Sequence, residues 1–313
     1  MSVPQTRSTA LVLTALPLEY AAVRAHIEDR QERVHRDGTR VEVGRLPGTP
    51  WRIAVAELGV GADRAAALTT RLIDWLRPEA VFFVGVAGSL KDDVGTGDVV
   101  VGTQVYEIHG GKQTPEGFLV RPKALPSSHA LEQAARSAVR DMPAVRSHFA
   151  PIATGDVVVA DADADIVRFL RRHYNDAAAI EMEGYGATQA AHLNGRVDSL
   201  VVRGISDHAD AGKHRADASG SQQFAARQAA AVTMAVLRKH GPRGGFSEPE
   251  FESGSGSEPE SEGGSGSESG SGSGSEGGPR RRSGAGTSYG GDHIDFRGGT
   301  FHGPVVGKRT DHR

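Results

Sequence analysis

Four short stretches of this 313-residue chain carry residue types able to do chemistry. Ser206 and Asp207 directly follow the run Leu200-Val201-Val202-Arg203-Gly204-Ile205. A carboxyl group there can sit beside a ligand while the neighbouring hydroxyl holds its orientation; the same pair would also cap a following helix. Glu181 and Glu183 flank Met182 in an otherwise apolar stretch, where acids are costly to bury without partners. On a strand the two Glu side chains share one face and Met182 takes the other, unless a local bend redirects them. An ionised carboxylate can accept both hydroxyls of a vicinal diol such as that of ribose, and acids also suit a helix N-terminus. Glu19 follows Leu16-Pro17-Leu18, where it is either a site carboxylate or a first-turn helix acid. The glycine stretch Gly85-Val86-Ala87-Gly88-Ser89 serves close ligand approach or a tight turn, and no Gly-Lys-Ser/Thr follows to make it a P-loop.

These residues need a scaffold, and the apolar pattern supplies one. Residues 11–13 form a short apolar run that predicts a buried strand, feeding a helix over 19–27. Residues 41–43 and 51–56 read as strands, and 62–76 as an Ala-rich helix closed by Pro78. The continuous apolar run 81–84 predicts a strand buried on both faces, entering the glycine loop 85–89. Further strands are expected at 99–101, 104–108, within 152–159, at 180–182 and at 200–202. Helices are expected at 128–139, 161–174, 184–194 and 222–240. This alternation predicts an α/β domain with a mixed central β-sheet flanked by helices, its ligand site at the carboxyl ends of the strands.

Composition narrows the function classes. A formal net charge of −3 speaks against nucleic acid as a partner. With no cysteine, disulfides, thiolate metal sites and Cys nucleophiles are excluded. No apolar run reaches the roughly 20 residues that cross a bilayer, so no membrane partner is expected. The run 10–18 is broken by Thr14 and Pro17 and lacks a basic leader, so it reads as a strand, not a signal peptide, which fits a cytoplasmic protein. From 247 to 278 the chain is almost wholly Ser, Gly, Glu and Pro, too polar to offset the entropy of ordering it. The expected organisation is a catalytic domain over 8–240, a disordered Gly/Ser/Glu linker over 241–288 and a short hairpin-like motif over 289–313. That last motif would order on a protein partner. Asp161, Asp163 and Asp165 imitate the start of a calcium loop, but Ile166 stands where Gly is required. His208, Asp210 and His214 match no standard metal spacing, and no Gly-x-Ser-x-Gly elbow is present. No metal and no cofactor are expected.

Six blocks occur in one order: Thr14-Ala15-Leu16-Pro17-Leu18-Glu19, Gly59-Val60-Gly61, Val84-Gly85-Val86-Ala87-Gly88, Ala153-Thr154-Gly155-Asp156, Glu181-Met182-Glu183-Gly184 and Arg203-Gly204-Ile205-Ser206-Asp207. Together they resemble the nucleosidase branch of the purine nucleoside phosphorylase superfamily, as in the methylthioadenosine/S-adenosylhomocysteine nucleosidases, over residues 11–240. The resemblance implies cleavage of a purine N-glycosidic bond, with adenine the expected base. Asp207 would act at purine N7, oriented by Ser206, as a general acid. Glu183 would bind the ribose hydroxyls, Met182 would pack on the sugar and Glu19 would activate water. Val158 and Val159 fall where the family stacks and hydrogen-bonds the base, and Val158 replaces an aromatic ring. Glu181, Ala87, Gly88 and Val60 complete the implied substrate site. Phosphorylases of this superfamily hold phosphate with an Arg and a Ser around the glycine loop. Phe83 and Val86 stand in those places and Ser89 is displaced by three residues, so water is the expected nucleophile. Nucleosidases of the family often keep a Ser where Val86 stands. The resemblance also implies a homo-oligomer whose neighbouring subunit helps close the pocket on a purine nucleoside or nucleotide. Phosphorolysis, or a nucleotide-depleting effector of a bacterial signalling or defence assembly, is the alternative.

Overall fold

The computed structural model describes residues 8–115, 117–157, 164–195, 197–207 and 220–242. All of them belong to one compact unit, Met1–Glu250. Apart from 241–242, the expected linker and C-terminal motif lie outside the described residues. So do Val158, Val159, Asp161, Asp163, His208, Asp210 and His214.

A ten-stranded mixed sheet forms the middle layer. Its strands are β1 (Thr9–Thr14), β2 (Glu28–Val34), β3 (Arg40–Arg45), β4 (Arg52–Glu57), β5 (Ala80–Ser89), β6 (Val99–Glu107), β9 (Lys123–Pro126), β10 (Ser147–Thr154), β11 (Ala179–Glu181) and β12 (Asp198–Asp207). A separate hairpin, β7 (Gly111–Thr114) with β8 (Gly117–Val120), stands apart from it. Alternate side chains feed opposite faces. Ala10 and Val12 of β1, Phe82 and Val84 of β5 and Leu200 and Val202 of β12 share one core with α1 (Pro17–Arg24), α3 (His129–Arg140) and α6 (Ser221–Lys239). Leu11 and Leu13, Val81 and Phe83, and Val201 and Ile205 share the other core with α2 (Ala62–Leu76) and α5 (Gly184–Leu193). The last helix, α4 (Asp165–His173), packs Val167 and Leu170 on Ala153 and Ile180.

The sheet runs β11-β10-β6-β12-β5-β1-β4-β3-β2, and β11 also pairs with β5 through Ala179 with Ser89 and Ile180 with Gly88. Five strands thereby close into a ring, with β1-β4-β3-β2 as an open wing.

Several boundaries differ from the sequence reading. The expected loop 85–89 is the end of β5, and the strand expected over 200–202 runs on to Asp207 as β12. Glycine here marks close approach, not a turn. A Cβ at Gly85 would collide with the Arg203 guanidinium and the Glu19 carboxylate, and one at Gly204 with the backbone of Ala225 on α6. The first helix begins at Pro17 and ends at Arg24, not at Ile27. Ile27 is instead buried where the chain turns into β2, an edge strand of seven exposed residues with no apolar alternation to reveal it. The strand expected within 152–159 is shifted to Ser147–Thr154.

Candidate active site

Strand ends and helix starts converge on a cavity of about 260 Å³. Glu19, Glu183, Ser206 and Asp207 line it together with Val60, Ala87, Gly88, Glu181 and Met182. Every site residue expected from the sequence and lying within the described residues is therefore brought to one place.

Glu19 is the third residue of α1, which starts with Pro17 in the first helical position. Its Oε2 accepts the N–H groups of Ala15 at 2.8 Å and Leu16 at 2.9 Å, satisfying donors that a helix N-terminus leaves free. Its Oε1 accepts the Val86 N–H at 2.8 Å, which ties α1 to β5. Burial pushes the Glu19 pKa up, against the opposing pull of Arg203 and these three N–H groups, and the net shift is upward.

Glu181 ends β11 and Glu183 caps α5, so the strand stops between them and both acids turn inward. Glu181 Oε2 accepts the N–H groups of Glu183 at 3.0 Å and Gly184 at 2.7 Å and pairs with Arg203 Nη2. Its Oε1 accepts the Thr154 hydroxyl. Glu183 Oε1 accepts the Gly61 N–H at 3.2 Å, and its Oε2 lies 3.4 Å from Arg203 Nη2. Burial first, then the charges of Glu181 and Glu19, push Glu183 up to about 7; Arg203 and the Gly61 N–H oppose this.

Arg203 is the residue whose role the sequence reading left unassigned. It is fully buried on β12, and its guanidinium lies over the Phe83 ring, 4.7 Å from the centroid. Burial alone would lower its pKa, but Glu181, Glu183 and Glu19 outweigh that and hold the cation. A charged residue inside the run 200–205 is the signal that could have marked it, since a cation enters such a strand only with partners waiting. Phe83 therefore occupies the place of a phosphate-gripping Arg as the platform for this one. Ser89 turns away as well: its Oγ donates to the Lys91 carbonyl at 2.8 Å.

β12 carries a bulge between Ile205 and Asp207 against β5, pairing Ile205 with Ala87 and Asp207 with Gly88. An extra residue re-aims the strand end, and here Ser206 is that residue. Its Oγ lies 2.8 Å from Asp207 Oδ2, the orienting contact expected from the sequence. Ala15, Leu16 and Val86 also line the cavity, as do Gln222, Val157 and Ile180, which were not singled out from sequence.

A family model for the phosphorylase superfamily matches residues 9–238, most of the chain. The chain belongs to the phosphorylase superfamily. Within that superfamily it falls in the nucleosidase branch. It is 30% identical over 207 residues to the 5'-methylthioadenosine/S-adenosylhomocysteine nucleosidase of Chromohalobacter salexigens, covering 63% of this chain and 83% of that protein. It is 29% identical over 267 residues to the ATP nucleosidase Cap17 of Escherichia coli, covering 74% of this chain and 51% of that protein. Among solved structures, the 5'-methylthioadenosine/S-adenosylhomocysteine nucleosidase of Neisseria meningitidis, in complex with methylthio-immucillin-A, superposes with a TM-score of 0.65 at 25% identity. That match covers 74% of this chain and 99% of the other. These relatives are nucleosidases, and the expected enzyme class, an N-glycosidase, stands with them. The superfamily fold and the mixed α/β architecture read from the sequence agree. Among the described residues, no helix is long and apolar enough to cross a membrane.

The raised carboxyl groups of this superfamily member have a consequence for stability. A carboxyl whose folded pKa exceeds its unfolded value stabilises the fold fully below the unfolded pKa, and loses that contribution as pH rises through the folded pKa. For Glu183 the window runs from its ordinary 4.5 to about 7, and Glu19 acts in the same direction. The thermal unfolding midpoint is expected to fall as pH rises across that window. A midpoint that climbs steadily from pH 4.5 to 7 would contradict the burial argument.

Proposed function

We propose that the chain hydrolyses the N-glycosidic bond of an adenine nucleoside or a derivative of one. The observation that carries this reading is the charge of the cavity. Four carboxylates line it, and among the described lining residues there is no Lys, Arg or His. Among the described residues the cation behind them is Arg203, buried and paired with Glu181 and Glu183. A phosphate dianion entering as nucleophile would find no cation among the described lining residues to hold it, whereas water needs none.

In the proposed reaction Asp207, oriented by Ser206, gives a proton to purine N7. The bond between the sugar C1′ and purine N9 breaks, and its electron pair leaves with the base. Water adds to C1′ as hydroxyl while its proton passes to Glu19. The raised pKa of Glu19 suits a base working near neutrality. Glu183 accepts the ribose hydroxyls, and Met182 packs on the sugar. Glu183 must be ionised to accept both hydroxyls, so kcat/KM is expected to rise with pH through about 7.

The test is a panel of adenosine, methylthioadenosine, S-adenosylhomocysteine and ATP, incubated with and without phosphate and read by chromatography. Free adenine and free sugar, indifferent to phosphate, are the expected products. Sugar 1-phosphate appearing only with phosphate would favour phosphorolysis, and no base release from any substrate would sink the enzyme reading. A nucleotide substrate is a second reading, favoured by the likeness to the ATP nucleosidase over 74% of this chain. Adenine released from ATP and not from the nucleosides would select it.

A further inference from the structure

Thr154 ends β10 in register with Glu181 on β11 and Glu107 on β6. It is 2% exposed and lies behind the cavity wall, facing a neighbouring hollow lined by Ala62, Tyr185 and Gly186 of α2 and α5. Its hydroxyl is fully directed. The Tyr185 N–H donates to Oγ1 at 2.9 Å, and the hydroxyl proton goes to Glu181 Oε1. Glu181 Oε2 is already shared by Arg203 and the N–H groups of Glu183 and Gly184. Thr154 thus occupies the oxygen of Glu181 that Arg203 does not use.

We infer that Thr154 is a positioning residue for the reaction, keeping Glu181 from taking the Arg203 guanidinium for itself; the inference rests on the hydrolase reading above. An arginine facing a carboxylate with both oxygens free prefers the two-pronged pairing. With the hydroxyl in place, Glu181 holds Arg203 by one oxygen only. The guanidinium then remains within 3.4 Å of Glu183 Oε2 and close to Glu19. Without the hydroxyl, Oε1 draws Arg203 toward β11 and away from the other two acids. The groups facing Glu183 are Arg203 and Asp207 on β12, Glu181 on β11, Glu19 on α1 and the Gly61 N–H ahead of α2. Among the described residues Arg203 is the one cation facing Glu183, so its withdrawal leaves Glu183 among these acids. Glu183 then stays protonated to higher pH and holds the sugar diol less well.

Adenine release by the full chain, from whichever substrate of the panel above it turns over fastest, tests this, with Thr154→Val removing the hydroxyl at nearly constant shape and Thr154→Ser restoring it. Loss of a hydrogen bond to a charged group predicts about a tenfold or greater fall in kcat/KM for Thr154→Val. The acid limb of its pH profile should also move to higher pH. Thr154→Ser should stay within about threefold of the unchanged chain, with its acid limb in place. Should Thr154→Val not fold, Thr154→Cys carries the same test, because a thiol is a weak donor. It should fall below Thr154→Ser. Activity of Thr154→Val within about twofold of the unchanged chain, with an unmoved limb, would overturn the inference. So would a Ser variant as poor as the Val variant, or a Cys variant equal to Ser. An unchanged chain that releases no adenine from any substrate of that panel would overturn the hydrolase reading and this inference with it. An active chain indifferent to Thr154→Val would overturn the inference alone.

Discussion

Asp207→Asn is expected to abolish measurable base release while leaving the fold in place. The amide has nearly the shape of the carboxyl and can still accept from Ser206, whose Oγ lies 2.8 Å from Asp207 Oδ2. It cannot give up a proton as a carboxylic acid does, so purine N7 loses its acid as the glycosidic bond breaks. Removing a general acid costs about a hundred- to ten-thousand-fold in rate. Adenine release by chromatography measures the loss, and thermal unfolding checks that the protein is still folded. Undiminished turnover in this variant would remove Asp207 from the mechanism.

Arg203→Met should have the largest effect on stability. Methionine fills most of the space and packs on Phe83, but it leaves Glu181, Glu183 and Glu19 buried without their cation. Breaking a buried ion pair from one side costs about 3–5 kcal/mol, and here several acids share one partner. For a domain of this size the thermal midpoint should drop by roughly ten degrees or more. The loss should be greater near pH 8, above the value of about 7 for Glu183, than near pH 5, where Glu183 carries its own proton. Equal stability of the two proteins at pH 8 would show that the guanidinium does not hold this cluster together.

The acids proposed for the reaction were legible because their spacing places them at the ends of apolar runs, where a charge is conspicuous. Glu19, Glu183 and Asp207 reach one cavity from three elements, α1, the start of α5 and β12. The apolar pattern located β1, β5 and β12 because they are buried on both faces, and α2 and α5 because each buries a regular face. It failed at β2, whose residues are all exposed and which exists through its ladder with β3. It failed again at β7, β8 and β9, four-residue strands too short for any period to show. Glycine misled differently: Gly85 was expected in a loop and Gly204 beyond the end of a strand, but each lies inside a strand that something else must approach closely. The network from Thr154 through Glu181 to Arg203 links β10, β11 and β12. Contacts of that kind depend on a sheet curved back on itself, and a one-dimensional pattern does not carry curvature.

Closure of that sheet sets how the protein comes apart. Each ring strand, including three-residue β11, is hydrogen-bonded on both flanks, by β10 and β5 in the case of β11. A strand with two partners cannot peel away alone, so the spacing among Glu181, Arg203 and Asp207 is protected from fraying. In the wing, β2 has β3 on one side only among the described residues and can open locally at small cost. Amide exchange should accordingly be fast in β2, the outer strand of the wing, and slow in the ring. Excursions that expose the edge of the sheet then leave the chemistry untouched, and the site is lost only when the ring itself opens.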